Sequence, residues 1–326
     1  MTTRICALAC AAALATACAA ALATACAAPA RSTRAGASDP AADARAVVEE
    51  LAGLEPPRSA AHPESMARAA KAIAARLRAA GLAVEIDAYE VGGATYRNVY
   101  ARIGTGARER IVVGAHYDVF GDLPGADDNA SGVAALLAVA KLLAERPLGA
   151  DVELAAYALE ERPHSHTDAM GSVRHARALR AAGVRVRAML SLEMLGYYDD
   201  APGSQRFESP ALRERFGDRG RFLAVVGREE ERELLAAIEP AMRAASDLPV
   251  ALFAAPRGTR GIDRSDHRSF WTQGFPALLL TDTADLRNPH YHQATDLPET
   301  LDYGRLAKAA RAAAAAVEAL AGPAAP

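Results

Sequence analysis

Four short runs in this chain are apolar almost throughout: Ile111–Ala115 (IVVGA), Val152–Leu159 (VELAAYAL), Val186–Leu192 (VRAMLSL) and Ala277–Thr281 (ALLLT). A strand buried on one face alternates apolar and polar residues, so runs this apolar require cover on both faces. Helical periodicity over Ala41–Leu54, Pro63–Ala80, Gly132–Glu145, Gly171–Ala182, about Glu229–Ala245 and Leu301–Leu320 supplies that cover, with a short helix at Asp266–Gln273. Further strands are expected at Ala83–Val91 and Asn98–Ile103, a candidate hairpin, and at Phe222–Val226 and Val250–Ala254. The alternation predicts an α/β fold: a mixed, mostly parallel central sheet with helices on both faces, in one globular domain over residues 41–326. In such sheets, sites form beyond the carboxyl ends of the strands.

The amino end reads differently. Met1–Arg4 carries one positive charge, an Ala-rich apolar run begins at Ile5, and small residues cluster at Ala25–Ala28. These are the parts of a secretory signal peptide over residues 1–28. A membrane anchor would show a similar run, but Pro29 and the polar stretch after it favour cleavage. Cys18 or Cys26 could alternatively carry the lipid of a bacterial lipoprotein, although each follows Ala-Thr-Ala where Leu is more usual at the third position back. Residues 29–40, rich in Ala, Pro, Ser and Gly, read as a flexible linker. The expected location is therefore outside the cytoplasm: periplasmic, extracellular or lipid-anchored at the envelope. No later stretch reaches the ~20 apolar residues of a membrane-spanning helix.

All four cysteines lie in the first 26 residues. The folded part can have neither disulfides nor thiolate metal ligands, so any metal site must use His and carboxylates. A formal net charge of -3 gives no reason to expect a nucleic acid or an anionic membrane as partner.

Polar clusters follow the apolar runs. His116-Tyr117-Asp118 comes directly after IVVGA, and residues two apart in an extended chain point the same way, so Asp118 can hold the tautomer of His116. Next comes Gly125-Ala126-Asp127-Asp128-Asn129-Ala130-Ser131-Gly132, where one Asp can cap a helix while another binds metal. Glu160-Glu161 ends the run VELAAYAL. Two adjacent carboxylates at the end of a buried strand are unfavourable without positive charge nearby, and a metal resolves the conflict: one binds it and the other takes a proton from water. Glu193 follows VRAMLSL, and Asn288-Pro289-His290-Tyr291-His292 follows ALLLT. Five strand-to-loop junctions thus carry His, Asp, Glu, Glu and His. Two Zn²⁺ ions would balance three carboxylates and a hydroxide, with two neutral imidazoles completing the shell. Metal pairs of this kind, about 3.5–4 Å apart, hydrolyse amides. No Gly-x-Ser-x-Gly, HExxH or Walker A motif is present.

The stretches GAHYD (114–118), PGADDNASG (124–132), LEE (159–161), SLEMLGYY (191–198), SDHRSFW (265–271) and NPHYHQATDLPETLDY (288–303) resemble the M28 metallopeptidases, the bacterial di-zinc aminopeptidases, in order and spacing over roughly residues 60–320. The resemblance implies a zinc-peptidase fold and two Zn²⁺ per chain. It implies His116 and Glu193 as ligands of one zinc, Asp128 as the bridge, and Glu161 and His292 as ligands of the second. Many family members have Asp where this chain has Glu193. Glu160 is the implied general base and Asp118 the partner of His116. Tyr291, beside the last ligand, is a candidate donor to the oxyanion. His290 falls on a variable position and Asp266-His267 reads as supporting the site. His164 and His166, in an unusually polar loop after Glu161, read as solvated. Arg257, Arg260, Arg264 and Arg268 could meet a substrate carboxylate, though such a run also fits a solvated face.

The implied activity is release of the N-terminal residue from peptides with a free amino end. Three alternatives share the fold: glutaminyl cyclisation at one zinc, carboxypeptidase action, and a binding module without catalysis. The intact ligand set and base weigh against the first and last.

Overall fold

The computed structural model describes residues 39–324 apart from 105, 107, 108 and 208. The expected signal at 1–28, with Cys18 and Cys26, lies outside the described residues, as does the linker up to residue 38. The last two linker residues begin the fold. Asp39 accepts the amide of Ala41 at 3.0 Å, and Pro40 occupies the first turn of α1 (Pro40–Ala52), where its missing N–H costs nothing.

After α2 (Pro63–Ala79), β1 (Val84–Val91) and β2 (Ala94–Ile103) form the expected antiparallel hairpin. Gly92 and Gly93, with φ of +60° and +83°, make its turn. Then come β3 (Glu109–His116), α3 (Gly132–Leu143), β4 (Asp151–Tyr157), α4 (Gly171–Ala181) and β5 (Arg185–Glu193). The rest comprises α5 (Pro210–Phe216), β6 (Leu223–Arg228), α6 (Arg232–Ala245), β7 (Val250–Ala255), α7 (His267–Thr272), β8 (Ala277–Thr281) and α8 (Tyr303–Ala321). The strands form one mixed sheet in the order β1-β2-β4-β3-β5-β8-β6-β7. Its centre, β4-β3-β5-β8, is parallel; β2 and β6 join it antiparallel on either side.

The central strands show why their sequences are apolar. In β3, Ile111, Val113 and Ala115 pack into the core that also takes residues of α1, α2, α3, α6 and α8, while Val112 faces the smaller core under α4 and α7. Gly114 is required by close packing: a Cβ there would lie 2.5 Å from the Tyr157 ring and 3.0 Å from Met189. On α8 the buried residues are mostly alanine, and these short side chains let the helix pack closely against α1, α3 and α6. Among the described residues, no helix is long and apolar enough to cross a membrane.

The structure adds one element and corrects one cap. The stretch 194–221, assigned no element from its sequence, carries α5, a helix of 7 residues whose apolar pair, Leu212 and Phe216, is only half-buried. The α3 start is capped by neither aspartate. An irregular turn over Ala126–Ser131 leads into it, and Asn129 Oδ1 accepts the amide of Gly132 at 3.1 Å.

Candidate metal centre

The four parallel strands point the same way, so their carboxyl ends share one edge. β3 ends on His116, β5 ends on Glu193, and the β4 exit carries Glu160 and Glu161. Asp128 enters from the turn before α3, and His292 from the loop after β8.

All of these residues except Glu160 form two groups that share Asp128. In the first, His116 Nε2 lies 3.4 Å from Asp128 Oδ1 and 3.2 Å from Glu193 Oε2. In the second, His292 Nε2 lies 3.1 Å from both Asp128 Oδ2 and Glu161 Oε1. The two oxygens of Asp128 therefore face different histidines.

Several observations test whether this donor set fits a metal. Zinc takes imidazole nitrogen and carboxylate oxygen at about 2.0–2.1 Å in tetrahedral sites, which places ligand atoms about 3.3 Å apart. The separations of 3.1 to 3.4 Å match that edge. Asp128 Oδ1 is also buried with no hydrogen-bond partner. Electrostatics point the same way. Burial pushes Glu160 well above the carboxylate range against the pull of His116, with Glu161, Glu193 and Asp266 adding like charge. Burial likewise raises Glu193, and raises Glu161 to about 7. His292 is held up to about 9: burial opposes its charge, but Asp128 and Glu161 outweigh it. A buried cluster this acidic calls for cations, and the residues fit zinc.

The surroundings fix the ligands. Asp118, fully buried, accepts the amides of Glu160 at 3.1 Å and Glu161 at 2.9 Å, so it ties the β3 exit to the β4 exit. Its Oδ1 lies 3.5 Å from His116 Nδ1, beyond hydrogen-bond length. The His292 ring is sandwiched between Phe120 (centroids 4.2 Å apart) and Tyr291 (3.9 Å). Ser265 donates to Glu193 Oε2 at 2.7 Å, and Asp296 accepts the amides of Asp127 and Asp128 at 2.9 and 3.1 Å. Phe120 had no signal in the sequence that marked it, and Asp296 stood inside NPHYHQATDLPETLDY with nothing to single it out. Ser265 lay inside the motif SDHRSFW without a distinguishing feature.

Other candidates sit apart. His290 bonds Thr295 Oγ1 at 2.9 Å and joins neither group. His164 and His166 belong to no cluster of three potential donors among the described residues. Asp266 and His267 are fully buried beneath the site. Arg257 pairs with Glu230, Arg264 with Asp285 and Arg268 with Asp263. Arg260 and Arg264 line a cavity of about 220 Å³ that also reaches Glu193 and Tyr291. Its walls include Phe207, Phe216, Phe222, Phe253 and Ile262.

Comparison with known proteins places this geometry. The chain is 39% identical over 260 residues to the uncharacterized protein YfbL of Escherichia coli K12, covering 77% of this chain and 80% of YfbL. It is 27% identical over 230 residues to a probable leucine aminopeptidase of Trichophyton verrucosum, covering 66% of this chain but only 55% of that one. Among solved structures, LapB of Legionella pneumophila superposes with a TM-score of 0.69 at 22% identity, over 87% of this chain and 72% of LapB. A glutaminyl cyclase of Fimbriiglobus ruber superposes with a TM-score of 0.66 at 18% identity, over 86% and 95% of the two chains. At such identities these structures speak for the fold alone. Residues 98–317, which include every member of both ligand groups, match the model of peptidase family M28, and to that family the chain belongs.

Proposed function

We propose that this protein is an exported zinc exopeptidase that releases the N-terminal residue of peptides with a free amino end. The observation that carries the reading is the pair of ligand groups joined through Asp128, with Glu160 beside them and in neither. Two zinc ions bound there would supply Lewis-acid polarisation of a carbonyl and acidify a water molecule. The remaining steps fall to the chain's own residues.

Glu160 is the group to accept a proton from the attacking water and return it to the leaving amine. Burial and its acidic neighbours push its carboxyl up, and zinc ions held beside it would oppose that rise and favour the carboxylate that a base must be. Asp118 holds its main chain. The Tyr291 phenol is pushed above its ordinary range by burial and by Asp128, Glu161, Glu193 and Glu160. It stays protonated, and its hydroxyl bonds no described protein group, so it is available to an oxyanion.

The aromatic cavity beside Glu193 suits a large apolar side chain on the first residue. The fungal relative's description as a leucine aminopeptidase agrees with this. Export is proposed from residues 1–28.

The test is release of the first residue from a panel of free-amine peptides by the purified protein. Acetylated copies, a chelated and zinc-restored sample, and a glutaminyl peptide assayed for cyclisation run alongside. Release from free amines only, lost on chelation, regained with zinc and fastest for Leu or Phe, is expected. No release from folded, zinc-loaded protein sinks the proposal, and cyclisation without release would replace it.

A further inference from the structure

Arg58, in the short connection between α1 and α2, is 1% exposed, one of the largest side chains buried so completely. Its guanidinium makes four hydrogen bonds, all to main-chain carbonyls. Nε donates to Tyr117 at 2.8 Å; Nη1 donates to Leu51 at 3.0 Å and to Pro124 at 2.7 Å; Nη2 donates to Gly125. The carbonyl of Arg58 in turn accepts the amide of Val119 at 3.1 Å. Among the described residues, no carboxylate pairs with it directly.

A charge buried this deeply is costly unless its hydrogen bonds are satisfied. The acceptors chosen are informative. Tyr117 sits between His116 and Asp118, and Pro124 and Gly125 open the turn that presents Asp128. Leu51 anchors the arrangement to the last turn of α1. One planar fork therefore joins the His116 loop and the Asp128 loop to a helix. Gly125 completes the fit: with φ at +61°, its Cβ position would lie 2.3 Å from the carbonyl oxygen of Asp128 and 3.1 Å from Arg58 Nη2. Burial lowers Arg58 only to about 10, so it remains a cation at neutral pH, in the field of Asp296, Asp128 and Asp118. Lysine, with three donors on one nitrogen, cannot reach carbonyls on three separate segments.

We propose that Arg58 is a positioning residue for the metal centre: by clamping the loops that carry His116 and Asp128, it sets the affinity of the His116–Asp128–Glu193 group for a divalent cation. The proposal rests on the reading of that group as a metal site. Supporting groups around metal ligands typically contribute about 10–100-fold to affinity.

The experiment measures zinc affinity by competition with a chromogenic chelator for the wild type, Arg58→Lys and Ile238→Val. Ile238 is fully buried in α6, which packs on α8, β6 and β7, so it controls for general loss of stability. The expected result is affinity about 10–100-fold lower in Arg58→Lys, with Ile238→Val within about twofold of wild type despite a lower melting temperature. A lysine variant that folds only with zinc yields the same affinity from the zinc dependence of its melting temperature. Equal affinity in wild type and Arg58→Lys, or an equal loss in Ile238→Val, overturns the proposal alone. So does an Arg58→Lys chain unfolded at every zinc concentration, because positioning presupposes a folded scaffold. No zinc uptake by the wild type overturns the metal centre itself and the proposal with it.

Discussion

Replacing Ser265 by Ala removes one oxygen atom and should separate the two proposed zinc sites. The Ser265 hydroxyl donates to Glu193 Oε2 at 2.7 Å, is itself 2% exposed, and is 3.0 Å from the Ser191 hydroxyl. Glu193 already has a raised proton affinity from burial, against which His116 and this hydroxyl hold it down. Without the hydroxyl, a proton competes better with metal for the carboxylate. A hydrogen bond to a charged group contributes about 1.5–3 kcal/mol. At about 1.4 kcal/mol per tenfold, zinc at the His116–Asp128–Glu193 group should bind roughly 10- to 150-fold more weakly. The other group shares only Asp128 with the first, so its affinity should stay within a few-fold. A biphasic competition titration with a zinc chelator reads both sites at once: one phase should shift and the other hold. Equal weakening of both phases, or of neither, would refute the argument that Ser265 acts through Glu193.

Three further outcomes are expected. Glu160→Gln should lower turnover about 10²–10⁴-fold, the span of general acid–base catalysis, while zinc content stays at the wild-type level; turnover within tenfold of wild type would remove Glu160 from the chemistry. Tyr291→Phe should lower kcat by about 10²–10³-fold with KM little changed, as for loss of one oxyanion donor, and unchanged turnover rules that role out. Glu153→Gln should lower stability by about 3 kcal/mol at pH 7, measured by denaturant unfolding. Burial opposes the Glu153 charge, but His175, Arg110 and Arg102 outweigh it and bring the carboxyl from 4.5 down to about 2, at about 1.4 kcal/mol per unit. The folded value is the lower one, so the stabilisation is present above pH 4.5 and lost as pH falls through 2. The gap between variant and wild type should therefore narrow by pH 3; a gap that stays constant with pH contradicts the assignment.

The central sheet was legible because its physics is local. A strand such as Ile111–Ala115 that sends Ile111 into one core and Val112 into another must be apolar at successive positions. His116, Glu161 and Glu193 were legible because they stand at or just beyond the ends of those strands, and Asp128 and His292 because they lie in the polar stretches that follow. The adjacency of Glu160 and Glu161 alone could not say which contacts a histidine; the motif resemblance implied Glu161, and the fold directs its Oε1 to His292. Asp118, expected beside His116, lies 3.5 Å from its Nδ1, and its two hydrogen bonds go to amides contributed by another strand exit. Arg58 was illegible for the deepest reason. Its partners are carbonyls of residues 51, 117, 124 and 125, and main-chain acceptors are the same in every sequence. The helix α5 left little trace because it is 7 residues long and only half-buries Leu212 and Phe216.

The ligands are drawn from five segments in chain order, and this gives the centre a timetable. A growing polypeptide has His116 and Asp128 early, acquires Glu193 with β5, and lacks one histidine until His292 has been made. No fragment that stops before that residue can contain both groups. A polypeptide threaded through a translocation channel in extended form would arrive without either group assembled, so its metal would have to be drawn from the compartment in which it folds.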